Sequence, residues 1–298
     1  RHVSPKTQFS PRFALAFPIT ETGYMHFSYG HFFQNPSFSY IYDNPEFEVP
    51  AGSGINSTMG NADMEPQRTT QYEVGFSQQI GQDIGIEITG YFKDIRNLNS
   101  TKILKSFVAG DRYGQYVNKD HANSRGITLA LSKRPLQNFS GNIDYTFSIS
   151  EGNASDPTAA FYDEQSSIEP EKMLVPLDWD QRHNLNGSVT TAYRGWGANA
   201  IFQYGSGYPY TPVITNYEQQ GEVLSNVLLR NSRRKLNTFR MDAKLFKNIS
   251  FGKMNGKIYL SIYNLTDRRN ENYIYNDSGR ANETIERRRA EQISAFEP

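Results

Sequence analysis

The fold is decided by the stretch Phe139–Ser150, which reads FSGNIDYTFSIS. Its odd-numbered positions are apolar, aromatic or glycine, whereas its even-numbered positions are all polar. Because side chains alternate between the two faces of a strand, this pattern predicts an antiparallel strand with one apolar and one polar face. The tight turn Arg134–Asn138 precedes the strand, and the aperiodic segment Glu151–Trp179 follows it. One end of the strand therefore carries a short turn and the other a long loop.

The same unit recurs along the whole chain. Period-2 alternation predicts about eleven strands in a single meander. They lie near residues 11–20, 25–29, 72–80, 84–92, 115–118, 127–131, 139–150, 185–193, 198–204, 239–245 and 258–262. Long loops are predicted at residues 32–67, 96–112, 151–179 and 205–236, and again from residue 264 onward. Long strands with alternating short and long connections are typical of an all-β transmembrane antiparallel β-barrel.

The distribution of charge supports this prediction. The apolar faces of the predicted strands contain no charged residue, and a Lys or Arg on a lipid-facing wall costs roughly 2–4 kcal/mol at the midplane. Their opposite faces carry charges that a wet or protein-filled lumen would accept: Glu73, Glu87, Lys93, Asp144, Arg240, Asp242 and Lys244. A soluble β-sandwich, secreted with an adhesive or enzymatic role, is the alternative, although its loops have no reason to be long at one end throughout.

Composition excludes several other classes. The chain has 298 residues with 31 basic and 31 acidic side chains, so its zero net charge implies no nucleic-acid partner. It has no cysteine, and aromatic residues reach 13% with 19 Tyr and 19 Phe. Mean hydropathy is −0.66, which a barrel tolerates because only alternate residues face lipid. The sequence has no apolar run of about 18 residues, the length that a transmembrane helix requires.

Several segments resemble the barrel of TonB-dependent outer-membrane receptors, with Bacteroidota-type receptors as the nearest likeness. Each motif is weak alone, but together they follow the family order over nearly the whole chain. They are Ser10–Phe13, Ser28–Pro36, Glu65–Gly75, Gly90–Ile95, Tyr116–Asn118 with Ser124–Ile127, Leu177–His183, Tyr204–Pro212, Arg240–Asp242 and Tyr263–Asp267.

The resemblance implies a 22-stranded barrel around a plug domain. Residues 1–298 would then be part of one outer-membrane barrel domain, its C-terminal half. The plug, its energy-coupling box and the closing strand are expected outside this chain, since Arg1 is not a natural start and no signal peptide is visible.

The function that the resemblance implies is uptake of a scarce small ligand: a siderophore, cobalamin, a glycan or a peptide. Its expected partners are outer-membrane lipids, a TonB-type energy-coupling protein reached through the plug, and, as a further candidate, a surface lipoprotein. An outer-membrane structural barrel that binds a partner protein without transport is the alternative. The resemblance implies no cofactor.

Aromatic residues in the predicted long loops are the candidate ligand contacts, because rigid amphipathic rings suit capture of a ligand at a pore mouth. They are Phe38, Tyr40, Tyr42, Phe161, Tyr162, Tyr208, Tyr210 and Tyr217. For Tyr208 and Tyr210, which lie close to a strand end, a place in the interfacial aromatic girdle is an equally good interpretation.

No catalytic or metal-binding constellation emerges, so an enzyme is not predicted. The five histidines show no ligand spacing, and the acidic residues near Asp156 and Asp163 form no EF-hand. Residues 178–183 carry two aspartates, an arginine and a histidine, which we interpret as a hydrogen-bonded cluster that anchors a strand start. The basic run Arg287–Arg289 is flanked by glutamates, which indicates a solvated loop.

Overall fold

A computed structural model describes residues 3–49, 55–106, 111–136, 138–165, 173–213, 230–252 and 254–284. The protein is built almost wholly of β-strands. They are β1 Arg12–Thr20, β2 Gly23–Gln34, β3 Ile55–Met59, β4 Gln67–Ile80, β5 Ile84–Lys105, β6 Arg112–Lys133, β7 Phe139–Gly152, β8 Val175–Pro176, β9 His183–Tyr193, β10 Trp196–Gly205, β11 Pro209–Tyr210, β12 Arg233–Arg234, β13 Thr238–Phe251 and β14 Met254–Ile262. Two short helices, α1 Phe38–Tyr42 and α2 Ala159–Gln165, lie between strands.

The strands form one large antiparallel meander. Ten of them follow the order β1-β2-β4-β5-β6-β7-β9-β10-β13-β14, while β3 adds in parallel to β6 and β8 pairs with β7. The short strands β11 and β12 form a separate pair. Within the described residues β1 and β14 are the two free edges, so the sheet is an open part of a barrel. Neither described helix is long and apolar enough to cross a membrane.

The two ends of the sheet differ as the sequence predicts. Short turns connect the strands at one end, and residues with positive φ close several of them, including Gly81 at +60° and Arg194–Gly195 at +48° and +81°. The long connections lie at the other end, between β2 and β4, β7 and β9, and β10 and β13. In outer-membrane barrels the short turns are periplasmic and the long loops extracellular. By this rule the short-turn end of the sheet is its periplasmic end and the long-loop end its extracellular end.

Strand register places the predicted apolar residues side by side on one face. Leu131 pairs with Ile143 and Leu129 with Tyr145, and Leu129 and Leu131 are 42% and 43% exposed. Leu260, which a sandwich would bury, is 58% exposed. Among the residues that the structure describes, no second sheet covers this apolar face, as a lipid-facing wall requires. The β-sandwich alternative is therefore wrong.

An aromatic belt marks the short-turn end of this wall. Tyr193 and Trp196 project from the apolar face and are 57% and 62% exposed. Lys247 lies 4.7 Å above the centre of the Trp196 ring. Amphipathic rings and long cations of this kind sit at the membrane–water interface.

The opposite face is polar and its side chains bond to one another. Ser28 donates to Glu73 at 2.8 Å, and Arg240 pairs with Asp242 at 2.9 Å. Charged groups in such a network stay hydrated and paired, as the lining of a wet lumen requires.

One predicted boundary is wrong. Residues 96–105 of the predicted loop are in fact the upper half of β5, and the two predicted strands near 115–118 and 127–131 are the upper and lower parts of one strand, β6. The two strands pair from Ile84 with Lys133 to Lys105 with Arg112. The register shifts between Ile95 and Leu98, and this β-bulge breaks the period-2 pattern that would have revealed continuous strands.

Candidate functional site

The upper ends of β5 and β6 extend well beyond the apolar wall. Each strand has 22 residues, a length of about 75 Å at the usual rise per residue, against an apolar band of about 25 Å in outer-membrane barrels. The extension begins at the bulge, where Asn97 has a φ of +59°. Two hydrogen bonds hold this point: Asn97 donates to Glu65 in the loop before β4 at 3.1 Å, and Asn118 of β6 donates to the Asn97 carbonyl at 2.9 Å.

Helix α2 packs against this extension and forms a small core above the membrane. Phe161 is only 6% exposed, and its ring lies over Gly114, where a Cβ would meet it at 2.7 Å. Thr101 donates to the Pro157 carbonyl at 2.7 Å, while Glu164 forms an ion pair with Arg112. The loop between β7 and β9 is thus held on the strands by both apolar and ionic contacts.

Helix α1 packs beside α2 on the same face of the extension, because Tyr116 is two residues from Gly114 and pairs with Thr101. The rings of Tyr40 and Tyr116 are 4.9 Å apart, and burial raises the pKa of the Tyr116 phenol above its ordinary value. Phe38 and Tyr42, by contrast, are 77% and 61% exposed. Helix α1 therefore uses one aromatic ring for packing and presents two to the solvent.

Asp180 anchors the loops to the top of β7. Its carboxylate is fully buried and accepts the Ser150 backbone N–H at 2.7 Å and Arg182 Nε at 2.8 Å. Arg234 donates to the same carboxylate and, at 2.7 Å, to the Asp180 carbonyl. This confirms the interpretation of residues 178–183 as a structural anchor, because charge-assisted bonds satisfy every side of the buried group.

A second set of bonds joins the loop between β7 and β9 to the loop between β10 and β13. Asp163 on α2 accepts two bonds from Arg230 at 2.8 and 3.0 Å. The neighbouring Asn231 donates to Asp178 at 2.7 Å and to the Pro176 carbonyl at 2.8 Å. Gln165 on α2 donates to the Asn56 side chain of β3 at 2.8 Å, which links the connection between β2 and β4 as well. The loops between β2 and β4, β7 and β9, and β10 and β13 are therefore one connected structure, which we call the loop layer.

A polar pocket of about 320 Å³ opens on the lumen side beneath this layer. Amide side chains dominate its wall, among them Gln181, Asn184, Gln203 and Asn270, with Tyr208 at its upper edge. Asn184 donates to Gln181 at 2.8 Å. Alternation along β9 and β10 indicates Asn184 and Gln203 as lumen-facing residues, whereas Gln181 and Asn270 lie outside these strands and have no such signal in the sequence.

Comparison with known proteins identifies the family. A family model described as TonB dependent receptor-like, beta-barrel, matches residues 2–265. The chain belongs to this TonB-dependent receptor family. As a family member it is a barrel segment of the Gram-negative outer membrane. No curated protein sequence matches the chain.

Solved structures agree in fold. The outer membrane transporter YddB from Escherichia coli matches 87% of the chain with a TM-score of 0.64 at 13% identity. The siderophore receptors PirA from Pseudomonas aeruginosa and PiuA from Acinetobacter baumannii also match 87% each, with TM-scores of 0.53 and 0.56 at 12% and 15% identity. The chain spans 37%, 39% and 32% of these three proteins.

The predicted ligand contacts of this receptor segment fall into three groups. Tyr162 and Tyr208 are 56% and 41% exposed and, with the two exposed rings of α1, remain available to a ligand. Phe161 and Tyr210 are buried at 6% and 8% exposure, so they pack within the loop layer, and Tyr40 is half-buried against Tyr116. Tyr217 lies outside the described residues, as do Arg287–Arg289.

The acidic side chains near α2 bond to partners within the loop layer. Asp163 and Glu164 are paired with arginines, and Asp156 accepts the Thr158 hydroxyl at 2.7 Å. Across the described ranges, no group of three or more His, Asp or Glu residues is placed to hold a metal ion. These carboxylates therefore serve to fix the loop.

Proposed function

We propose that the chain is the barrel part of an outer-membrane receptor that imports a scarce small ligand with energy from the inner membrane. The ligand would be a siderophore, cobalamin, a glycan or a peptide. A TonB-type protein would supply the energy through a plug domain. In this proposal the plug domain and the closing strand of the barrel belong to parts of the receptor outside residues 1–298. Membership of the TonB-dependent receptor family supports this proposal.

The observation that carries the proposal is the continuity between the loop layer and the polar lumen. Tyr208 lies at the edge of the pocket lined by Gln203 and Arg240, and the loops above it are fixed by buried ionic bonds at Asp180 and Asp163. A rigid layer over a polar, hydrogen-bonding passage can capture a ligand and deliver it inward at low ordering cost.

Phe38, Tyr42 and Tyr162 are the residues that we assign to ligand capture. They project from α1 and α2, the two helices that the β5–β6 extension supports, and more than half of each side chain is exposed. Exposed rings on a supported backbone provide contact area with little loss of conformational entropy.

Growth competition tests the proposal. A deletion strain would compete with its parent under limiting iron, cobalamin, glycan or peptide, with complementation by the wild-type gene or by a Phe38→Ala, Tyr42→Ala, Tyr162→Ala variant. We expect a fitness loss under one limitation, restored by the wild type and at most weakly by the triple variant. Phe251→Ala, which removes an equally exposed ring at the short-turn end, should restore growth fully.

Loss of the inner-membrane coupling protein should abolish the advantage of the wild-type gene under the same limitation. If deletion of the receptor gene changed fitness under none of the conditions, the uptake proposal would be wrong. A barrel that binds a partner protein without transport would then account for the loop layer.

A further inference from the structure

The lipid-facing wall contains a groove near its extracellular end. It has a volume of about 400 Å³ and crosses β1, β2, β4 and β5. Its outward-facing lining is apolar or aromatic and consists of Phe13, Phe27, Tyr29, Tyr72, Val74 and Phe92. The groove lies between aromatic side chains contributed by all four of these strands.

Gly90 forms the floor of the groove. It pairs with Val74 on one side and Ile127 on the other, so its position belongs to the outward row. A Cβ at Gly90 would meet nothing closer than 3.9 Å. The missing side chain therefore leaves open space that a lipid tail can enter and that a larger side chain could fill.

A chain of polar groups leads from the groove toward the extracellular end. The Tyr29 hydroxyl lies 2.6 Å from His31 Nε2, and Arg68 Nη2 lies 3.1 Å from the same nitrogen. Arg68 stands four residues beyond Tyr72 on β4, about 14 Å at the usual rise per residue. Along this outward row the aromatic pair Tyr72 and Phe92 is followed by Asp94 and then by Arg96, which pairs with Arg68, a change from aromatic to charged residues that is expected at headgroup level.

Arg68 differs from the other outward arginines of this region. Arg96, its cross-strand neighbour, is paired with Asp94 at 3.0 Å, and Arg125 with Glu151 at 3.1 Å. Within the described residues Arg68 has no carboxylate in salt-bridge range. Two guanidinium groups thus face one another across β4 and β5, with an excess of positive charge beside the groove.

We propose that this groove is a specific binding site for a phosphate-bearing lipid of the outer leaflet. One acyl chain would lie against Gly90 between Tyr72 and Val74, and the phosphate would accept hydrogen bonds from Arg68. The guanidinium fork matches a phosphate bidentately, and an unpaired cation at headgroup level attracts anionic lipid. An acyl chain in the groove would also cover the aromatic side chains that line it.

Native mass spectrometry of the complete receptor with added diphosphoryl lipid A tests this site. We expect Arg68→Gln to weaken binding of that lipid roughly fivefold, and Gly90→Phe to weaken it similarly by filling the groove. Two matched controls should change little. Arg125→Gln removes an outward arginine that already has a carboxylate partner, and Leu260→Phe enlarges an exposed wall residue on β14.

Dephosphorylated lipid A separates the two halves of the site. Binding of this lipid should be unchanged by Arg68→Gln but still weakened by Gly90→Phe. Heat-dependent gel mobility would establish that each variant is folded, and if Arg68→Gln failed that check, the comparison of Gly90→Phe with Leu260→Phe would decide alone. Equal binding by Gly90→Phe and Leu260→Phe, or equal losses for Arg68→Gln and Arg125→Gln, would show non-specific lipid contact only and overturn the proposal.

Discussion

At the scale of the residue, Asp180 determines whether the loop layer stays attached to the sheet. Its buried carboxylate binds one backbone N–H and two arginines. Asp180→Asn keeps the size of the side chain but leaves both arginines without their counter-charge. We expect a loss of about 3 kcal/mol in the free energy of unfolding, at the low end for a broken buried pair because the arginines reach water. Urea titration of the receptor in detergent micelles measures this loss.

A neighbouring aspartate provides the control for that measurement. Asp178 is exposed, and among the described residues its side chain accepts a hydrogen bond from Asn231 alone. Asp178→Asn should therefore cost about 1 kcal/mol or less. Equal effects at the two positions would contradict the role assigned to Asp180.

At the scale of the element, the β-bulge at Asn97 sets the direction of the β5–β6 extension. A β-branched residue at its φ of +59° is strained, so we expect Asn97→Val to cost about 1–2 kcal/mol, with a further cost of about 1 kcal/mol for the lost bond to Glu65. The effect should be local. Hydrogen exchange should show lost protection in the extension above the bulge, while the strands within the wall stay protected.

Glycine at the same position separates conformation from hydrogen bonding. Asn97→Gly tolerates the positive φ and loses only the side-chain bonds, so it should retain most of the protection that Asn97→Val loses. If both variants lost protection equally, the hydrogen bonds rather than the backbone conformation would hold the extension.

The strands within the wall could be predicted from the sequence, whereas the extension could not. Alternation such as that of Phe139–Ser150 reports which face contacts lipid, and lipid contact is uniform along the wall. Above the wall both faces of β5 are covered, because the consecutive residues Ser100 and Thr101 are both buried. The sequence there shows no period-2 alternation, and the bulge also exchanges the positions that face each side of the sheet.

The candidate site was predictable only in part for the same physical reason. Aromatic loop residues can be selected from the sequence, but their exposure depends on long-range packing. Phe161 is buried by Gly114 while its neighbour Tyr162 is exposed, and nothing in the local sequence separates the two. The anchor at Asp180 was recognisable because its charged partners are close in sequence, although Arg234 is 54 residues away.

At the scale of the whole molecule, the architecture depends on which medium covers each face of the sheet. Leu129 and Ala130 are consecutive on β6, the first on the apolar face opposite Tyr145 and the second on the polar face opposite Glu87. Leu129→Arg would place a cation in the hydrocarbon, and we expect a cost of roughly 2–4 kcal/mol. Ala130→Arg would place the same cation in the lumen beside a carboxylate, with an expected change within about 0.5 kcal/mol. Unfolding of both variants by urea in lipid vesicles measures the difference, and equal costs would mean that water or protein, not lipid, covers the apolar face.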